Sequence, residues 1–441
     1  MSGRKLWLRA LLVIVLVLPT SAHGQSAPLQ LTLRDAVLLA LRQNPSVLIA
    51  EIRLAESRQD ASISRAALLP QASLQVSDST ERLNVGTTFG TFIPGFPHHS
   101  GPFQVFAAGP SFSMPLLDLT LLRNWQAAKQ TAHATGSDAL TIREQTAALV
   151  VSQYLAALRA RAEVRAVESR VNLATTLYNQ AVSLEKNGSG TNLDTVRAQV
   201  ELQNERQNLL VADTQLQTTL NGLVQLLHVD PRQTIELGDE MSFFETPAIN
   251  VNESLECAYA ARPEMQSIAS QQAALELEKS SASASRLPTL SVGGQWQYEG
   301  NSAPTAIPTY VYQASIEVPI LTGGRIKAQI ARANLELKRI EEQKAQLRDQ
   351  IALEVNNALA ALDSARNQVD VAKQGLELAQ REVAQSRERF EEGVANNIEV
   401  VTAQDNLARA HDNLIEALYR YNQARADLAR ATGRMEDIYG K

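Results

Sequence analysis

One cysteine, Cys257, stands in 441 residues, so no disulfide can form within the chain. Proline is missing from two long stretches: none lies between Pro115 and Pro231, and none follows Pro319. Both stretches are therefore free to form uninterrupted helices. The apolar run Leu11 to Leu18 is eight residues long. That is too short for a bilayer, and no later run reaches the roughly 20 apolar residues that a transmembrane helix needs. Positive charge is also in deficit, with 41 Lys and Arg against 47 Asp and Glu, which argues against nucleic acid as a partner. The chain has no GxSxG elbow and no phosphate loop. His98 and His99 fall in a loop, and His133, His228 and His411 stand singly on helical stretches, without metal-ligand spacing. No catalytic residue, cofactor site or metal site is expected, and the chain reads as a non-enzyme.

Residues 1–24 carry Arg4, Lys5 and Arg9, then the apolar run, then Ala22-His23-Gly24. A basic start, a short apolar stretch and a small-x-small end read as a secretory signal peptide. Its removal takes away three positive charges and no acids, so the formal net charge moves from -6 to -9. An exported acidic protein is expected, and with no cysteine after the signal, no bacterial lipid anchor.

What the chain does have, it has twice. Residues 48–69 followed by Pro70 are answered by residues 266–287 followed by Pro288. Met114-Pro115-Leu116-Leu117 is answered by Val318-Pro319-Ile320-Leu321, and Gly188 with Thr191-Asn192-Leu193-Asp194 by Gly393 with Asn396-Asn397-Ile398-Glu399. From the second proline to the glycine the distances are 73 and 74 residues. Between the two prolines they are 45 and 31, so the first copy carries 14 extra residues, placed in a loop over residues 83–101, where added chain is tolerated.

Heptad-like seams run through the proline-free stretches. Val164, Val167, Val171, Ala174, Tyr178 and Ala181 form one. Ile351, Val355, Ala358, Leu362, Ala365, Val369, Ala372, Leu376, Ala379 and Val383 form a second, and Val400 to Leu428 at the same spacing a third. A helix over residues 116–186 would be ~105 Å long. Alanine-rich seams bury little area per residue, so each helix needs partners along its length. Strands alternate at 72–77, 290–298 and 310–318, and more weakly at 106–114; about ten residues each suits a tilted transmembrane strand. Four strands cannot close a barrel alone, and lipid forbids an open edge, so several copies must share one barrel. Trp296, Tyr298, Tyr310 and Tyr312 fit an interfacial aromatic belt, with ordinary strand packing as the alternative.

The Asn44-Pro45 start, the Leu-Pro strand entries at Pro70 and Pro288, the passages at Pro115 and Pro319 and the two glycine-broken hairpins together resemble the TolC-like outer membrane efflux proteins over nearly the whole mature chain. The second copy departs at Arg262-Pro263. The resemblance implies a mixed α/β membrane protein: a homotrimer whose chains each give four strands to a shared 12-stranded β-barrel in the outer membrane, above a periplasmic α-barrel of long helical hairpins. The expected organisation is a signal peptide at 1–24, a first structural repeat at 25–228, a second at 229–433 and a C-terminal tail at 434–441. Residues 83–101 and 300–308 would face outward, and residues 229–255 with the tail would girdle the tube.

The implied function is the exit duct of a tripartite efflux or type I secretion complex, fed by a periplasmic adaptor and, indirectly, an inner-membrane pump. An exported coiled-coil scaffold is the alternative. Gly188, Thr191, Asn192, Leu193, Asp194, Gly393, Asn396, Asn397 and Ile398 would form the periplasmic tips where the adaptor docks. Glu399 and Thr402 would line the entrance constriction, with threonine where relatives often carry a second carboxylate. The competing role of Asp194 and Glu399 is helix capping, since both tips have capping-box-like spacing.

Overall fold

A computed structural model describes residues 29–90, 94–95, 97–243, 250–392, 394 and 397–440; the expected signal peptide lies outside them. The chain runs β1 (Leu29–Leu31), α1 (Leu33–Gln43), α2 (Pro45–Ala66), β2 (Gln71–Asn84), α3 (Val85–Phe89), β3 (His99–Leu117), α4 (Leu119–Lys186) and α5 (Asn192–Leu227). It continues through β4 (Ile235–Leu237), α6 (Val251–Ala261), α7 (Pro263–Ala284), β5 (Thr289–Gly300), β6 (Ile307–Glu317), α8 (Arg325–Glu391), α9 (Asn397–Ala431) and α10 (Met435–Tyr439).

The helices come in pairs of matched length: 11 and 11 residues for α1 and α6, 22 and 22 for α2 and α7, 68 and 67 for α4 and α8, and 36 and 35 for α5 and α9. Asn44 and Arg262, which join the first two helices of each set, share the same backbone angles, φ -64° and ψ 125°. Their side chains solve the junction differently. Asn44 caps α2 by accepting from the Ser46 N–H at 2.9 Å and donates to the Leu226 carbonyl. Arg262 caps nothing; it is 5% exposed and pairs with Glu264 at 3.0 Å and Glu354 at 2.5 Å.

Helix α4 starts on Asp118, whose carboxylate accepts from the Thr120 and Leu121 N–H groups. It runs about 102 Å at 1.5 Å per residue. The predicted seams are the packed faces: all ten positions of the α8 seam are buried or half-buried, as are the nine of α9. A core at the middle of α4 gathers Val150, Val151, Tyr154 and Leu158 with Val37, Leu41, Leu223 and Leu227. There β1 pairs in parallel with β4, and the Tyr154 hydroxyl lies 2.9 Å from both the Leu31 carbonyl and the Asp239 carboxylate. Helix α10 docks on the same region: Glu144 accepts from the Met435 and Glu436 N–H groups, and Arg143 pairs with Glu436 at 2.7 Å. The short pair β1–β4 and the helices α1 and α6 had no signal in the sequence reading.

The other sheet has the order β2-β3-β5-β6, all antiparallel. Its register sorts the two faces. Ala72, Phe112, Gly294 and Tyr312 form one row across all four strands, and Ser73, Ser111, Gln295 and Val311 form the next row on the opposite face. Because alternate residues share a face, Leu74, Val76, Met114, Leu290, Val292, Trp296, Tyr298, Tyr310 and Ile316 join the first row's face. Gln75, Ser77, Ser113, Ser291, Gln297, Gln313 and Ser315 join the second. One face is mainly apolar and the other mainly hydroxyl and amide, with Val311 its apolar member in the row given.

Two expectations are corrected. The extra residues of the first copy are not simply loop: β2 continues to Asn84 and β3 begins at His99, with Leu83 paired to Ser100, so part of the added chain lengthens both strands and their ladder runs on past the point where β5 and β6 turn. The second turn is shorter than residues 300–308, since Gly300 and Ile307 are already strand. Strand β3 reaches 19 residues despite Pro110. Its ladder to β5 skips Gly109 and Pro110, and Gly109 lies so close to Trp296 and Gln297 that an added Cβ would overlap the Trp296 carbonyl oxygen. Gly109→Ala should therefore destabilise the folded protein by about 1–3 kcal/mol. Gly375→Ala, in α8 where a Cβ meets nothing within 4 Å, should gain up to about 1 kcal/mol. Denaturation midpoints of the two variants, moving in opposite directions, check this.

Candidate functional site at the hairpin tips

The first tip forms where α4 ends. Asn187 closes the helix, Gly188 turns with φ 74°, and the Ser189 and Gly190 N–H groups both donate to the Leu184 carbonyl at 3.0 Å. Thr191 then opens α5: its hydroxyl oxygen accepts from the Asp194 N–H at 3.3 Å and its O–H donates to the Asp194 carboxylate at 2.6 Å. Asp194 thus acts on the cap residue's side chain rather than on its backbone, half of the reciprocal pattern. Asn192 donates to Glu185 at 3.0 Å, tying the returning helix to the outgoing one. Leu193 is exposed.

At the second tip Gly393 and Asn396 lie outside the described residues, and Asn397 and Ile398 open α9. Glu399 accepts from the Arg389 Nε–H at 2.9 Å. This bond spans the turn from α8 to α9, so the carboxylate serves as a cross-hairpin ion pair.

The two tips meet. A cavity of about 320 Å³ lies between α4, α5 and α9, and both Asp194 and Thr402 line it. Its upper wall holds Arg170, which donates to Glu205 at 3.2 Å and to Asp412 at 3.1 and 3.3 Å, joining all three helices. Arg159 repeats the link higher up, 3.1 Å from Glu416. Glu201, on the same cavity, has its carboxyl pushed above the usual range by burial, and the charges of Glu205 and Asp405 push it the same way. Spacing could not reveal Arg170, because its partners stand 35 and 242 residues away, nor Glu201, because Asp405 comes to it from another helix.

The four belt aromatics share the apolar face. Trp296 and Tyr310 are cross-strand partners, and the Tyr310–Tyr312 and Trp296–Tyr298 ring centroids are 5.7 and 6.3 Å apart. All four are at least half exposed in the single chain. No described helix is long and apolar enough to cross a membrane, and no group of His, Cys, Asp or Glu among the described residues could hold a metal ion.

The sequence model described as outer membrane efflux protein matches residues 37–228 and 255–434. The pyoverdine export outer membrane protein OpmQ of Pseudomonas aeruginosa is 24% identical over 406 residues, covering 89% of this chain and 83% of the relative. The outer membrane efflux protein BepC of Brucella suis is 29% identical over 154 residues, 35% of this chain and 32% of the relative. Among solved structures, the open-state MtrE outer membrane channel of Neisseria gonorrhoeae superposes with a TM-score of 0.77 at 18% identity, over 91% of this chain and 88% of that one. The CmeC outer membrane channel of Campylobacter jejuni gives 0.75 at 19%, over 91% and 85%.

The raised carboxyl of Glu201 is expected to make the tip packing pH-dependent. Its folded pKa is raised, so its stabilising contribution is complete below the ordinary value of 4.5 and is lost as pH rises through the folded value. Glu201→Gln should raise the thermal midpoint at neutral pH and flatten its rise on acidification toward pH 4.5, as read from melting curves across that window.

Proposed function

Because the chain belongs to the outer membrane efflux protein family, it is an outer-membrane exit duct of a tripartite efflux system, and we propose that it works as a homotrimer closed at its periplasmic end by the two hairpin tips. The observation that carries closure by copies of the same chain is the open sheet: β2 and β6 pair on one side only among the described residues, and hydrocarbon does not tolerate an unpaired strand edge. Three chains in which β2 meets the neighbour's β6 give twelve strands and no edge. The apolar face then meets lipid and the serine and glutamine face lines the lumen. Residues 25–228 and 229–433 are the two repeats of each chain, with 434–441 as the tail.

In this reading the cavity at the tips is the seam that must shear when the duct opens. Arg170 holds the first hairpin to the second through Asp412, so opening costs that ion pair while the one to Glu205, within the first hairpin, is kept. Glu399 and Thr402 stand at the entrance constriction, where the Arg389 guanidinium offsets part of the Glu399 charge. The exposed turns around Gly188, Leu193 and Gly393 receive the α-hairpins of a periplasmic adaptor, which couples the duct to an inner-membrane pump. No energy-converting site is assigned to this chain.

In planar bilayers the mature protein should show small, mostly closed steps. Arg170→Ala should enlarge them severalfold, and Glu399→Gln should weaken block by trivalent cations. Wild-type steps already fully open, or steps unchanged by Arg170→Ala, would refute the tip closure; block unchanged in Glu399→Gln would remove Glu399 from the entrance. A bulky replacement at Gly393 should abolish export by cells while heat-modifiable trimers persist in the outer-membrane fraction, and normal export would sink adaptor docking at that turn.

A further inference from the structure

The aromatic belt lies toward one end of the sheet, with Tyr298 opposite Pro308 next to the β5–β6 turn. The opposite end, where strands become helices, carries a different pattern in all four connections. Segments 65–70, 118–129, 286–288 and 318–327 contain Arg65, Arg123, Lys129, Arg286, Arg325 and Lys327. Their only acid is Asp118, whose carboxylate is taken up by the Thr120 and Leu121 N–H groups. Among the described residues none of the six cations forms an ion pair, although arginines farther down the helices do. The same segments expose Leu69, Leu287, Val318, Ile320 and Leu321, the last two more than 90%. Arg65 and Lys129 approach one ring, Trp125, at 6.0 and 5.5 Å from its centroid. Arg325 and Lys327 flank Ile326, which is buried at 4%, so on a helix they project to opposite sides of the wall and one of them faces outward.

An apolar sheet face, then exposed leucine and isoleucine, then tryptophan among unpaired cations is the order in which a membrane presents acyl chain, interface and phosphate. Eight residue steps of β5 separate Leu290 from Tyr298, about 26 Å along the strand and about 20 Å of height at a barrel strand's usual tilt, which puts the junction near the edge of a barrel's apolar band. We infer that the sheet-to-helix junction, centred on the Arg65–Trp125–Lys129 cluster, is a binding collar for the phosphate of anionic glycerophospholipids in the periplasmic leaflet. The inference rests on the barrel reading of the sheet. Cations there attract an anionic headgroup by roughly fivefold in affinity each, and the tryptophan holds the two side chains at interface depth. The collar would orient the trimer from below as the tyrosines do from above.

The test uses the full-length mature trimer and its Arg65→Gln/Lys129→Gln variant. Each is offered an equimolar mixture of phosphatidylglycerol and phosphatidylethanolamine, and the retained lipids are counted by native mass spectrometry. The wild type should retain phosphatidylglycerol preferentially, the variant's preference should fall about tenfold or more, and millimolar inorganic phosphate should not displace the lipid. Preference equal in both proteins would overturn the collar, as would displacement by inorganic phosphate. So would unchanged preference with altered anion permeability, which would place the cations on the lumen. Conductance in bilayers is measured alongside: insertion without lipid preference defeats the collar alone, whereas failure of the wild type to insert defeats the barrel on which it rests.

Discussion

A strand edge in hydrocarbon must find a partner, and the rest of this structure is arranged around that requirement. Each unpaired N–H or carbonyl would cost several kcal/mol, far more than any side-chain contact along β2 or β6 returns. One chain supplies four strands in the order β2-β3-β5-β6, which leaves an edge at each side, and closure has to come from copies of the same chain. A closed ring of strands then dictates what stands beneath it. Each strand leads into or out of a helix within a few residues, so the ring of strands continues downward as a ring of helices, which has a wet interior and no central core.

That geometry explains the composition of the helices. A helix in such a wall touches neighbours on two flanks and water on the other two sides, so its buried stripe is narrow and doubled rather than broad. Alanine suits it, because close backbones leave no room for larger side chains: Ala127 and Ala134 of α4 and Ala358 and Ala365 of α8 are buried on such flanks. Since each alanine buries little area, length substitutes for depth. Larger side chains collect at one level, where Tyr154, Tyr421 and Met435 are buried and β1, β4 and α10 wrap the wall. This band is the nearest thing the chain has to a globular core, and it sits at the middle of the longest helix.

Much of this was legible beforehand, for identifiable reasons. Seams and strand alternation are local periodic signals, and duplication gave each a second reading: the α8 seam of ten residues made the shorter α4 seam credible. What escaped depends on contacts distant in sequence. Strands β1 and β4 are three residues each, too short for alternation to register, and they exist only because they pair across 206 positions. Arg170 looked like any solvated arginine until the fold brought Glu205 and Asp412 to it. The junction cations failed for another reason: they are spread over four segments and form no motif, and only the fold brings those segments to the same end of the sheet.

The two copies also show where selection by structure is strict and where it is loose. Asn44 and Arg262 have the same backbone angles but opposite chemistry, a neutral cap in one copy and a buried cation with two carboxylates in the other. The backbone turn is what the wall requires; any side chain that satisfies the exposed N–H groups or finds charge partners will serve. The tips follow the same logic with a different outcome. In the first, Thr191 and Asp194 bond to each other and Asn192 reaches back to Glu185, whereas in the second Glu399 reaches across to Arg389. The first link runs from a neutral amide to a carboxylate and the second joins two opposite charges, so the two respond differently to salt and two hairpins built to one plan present two distinct surfaces.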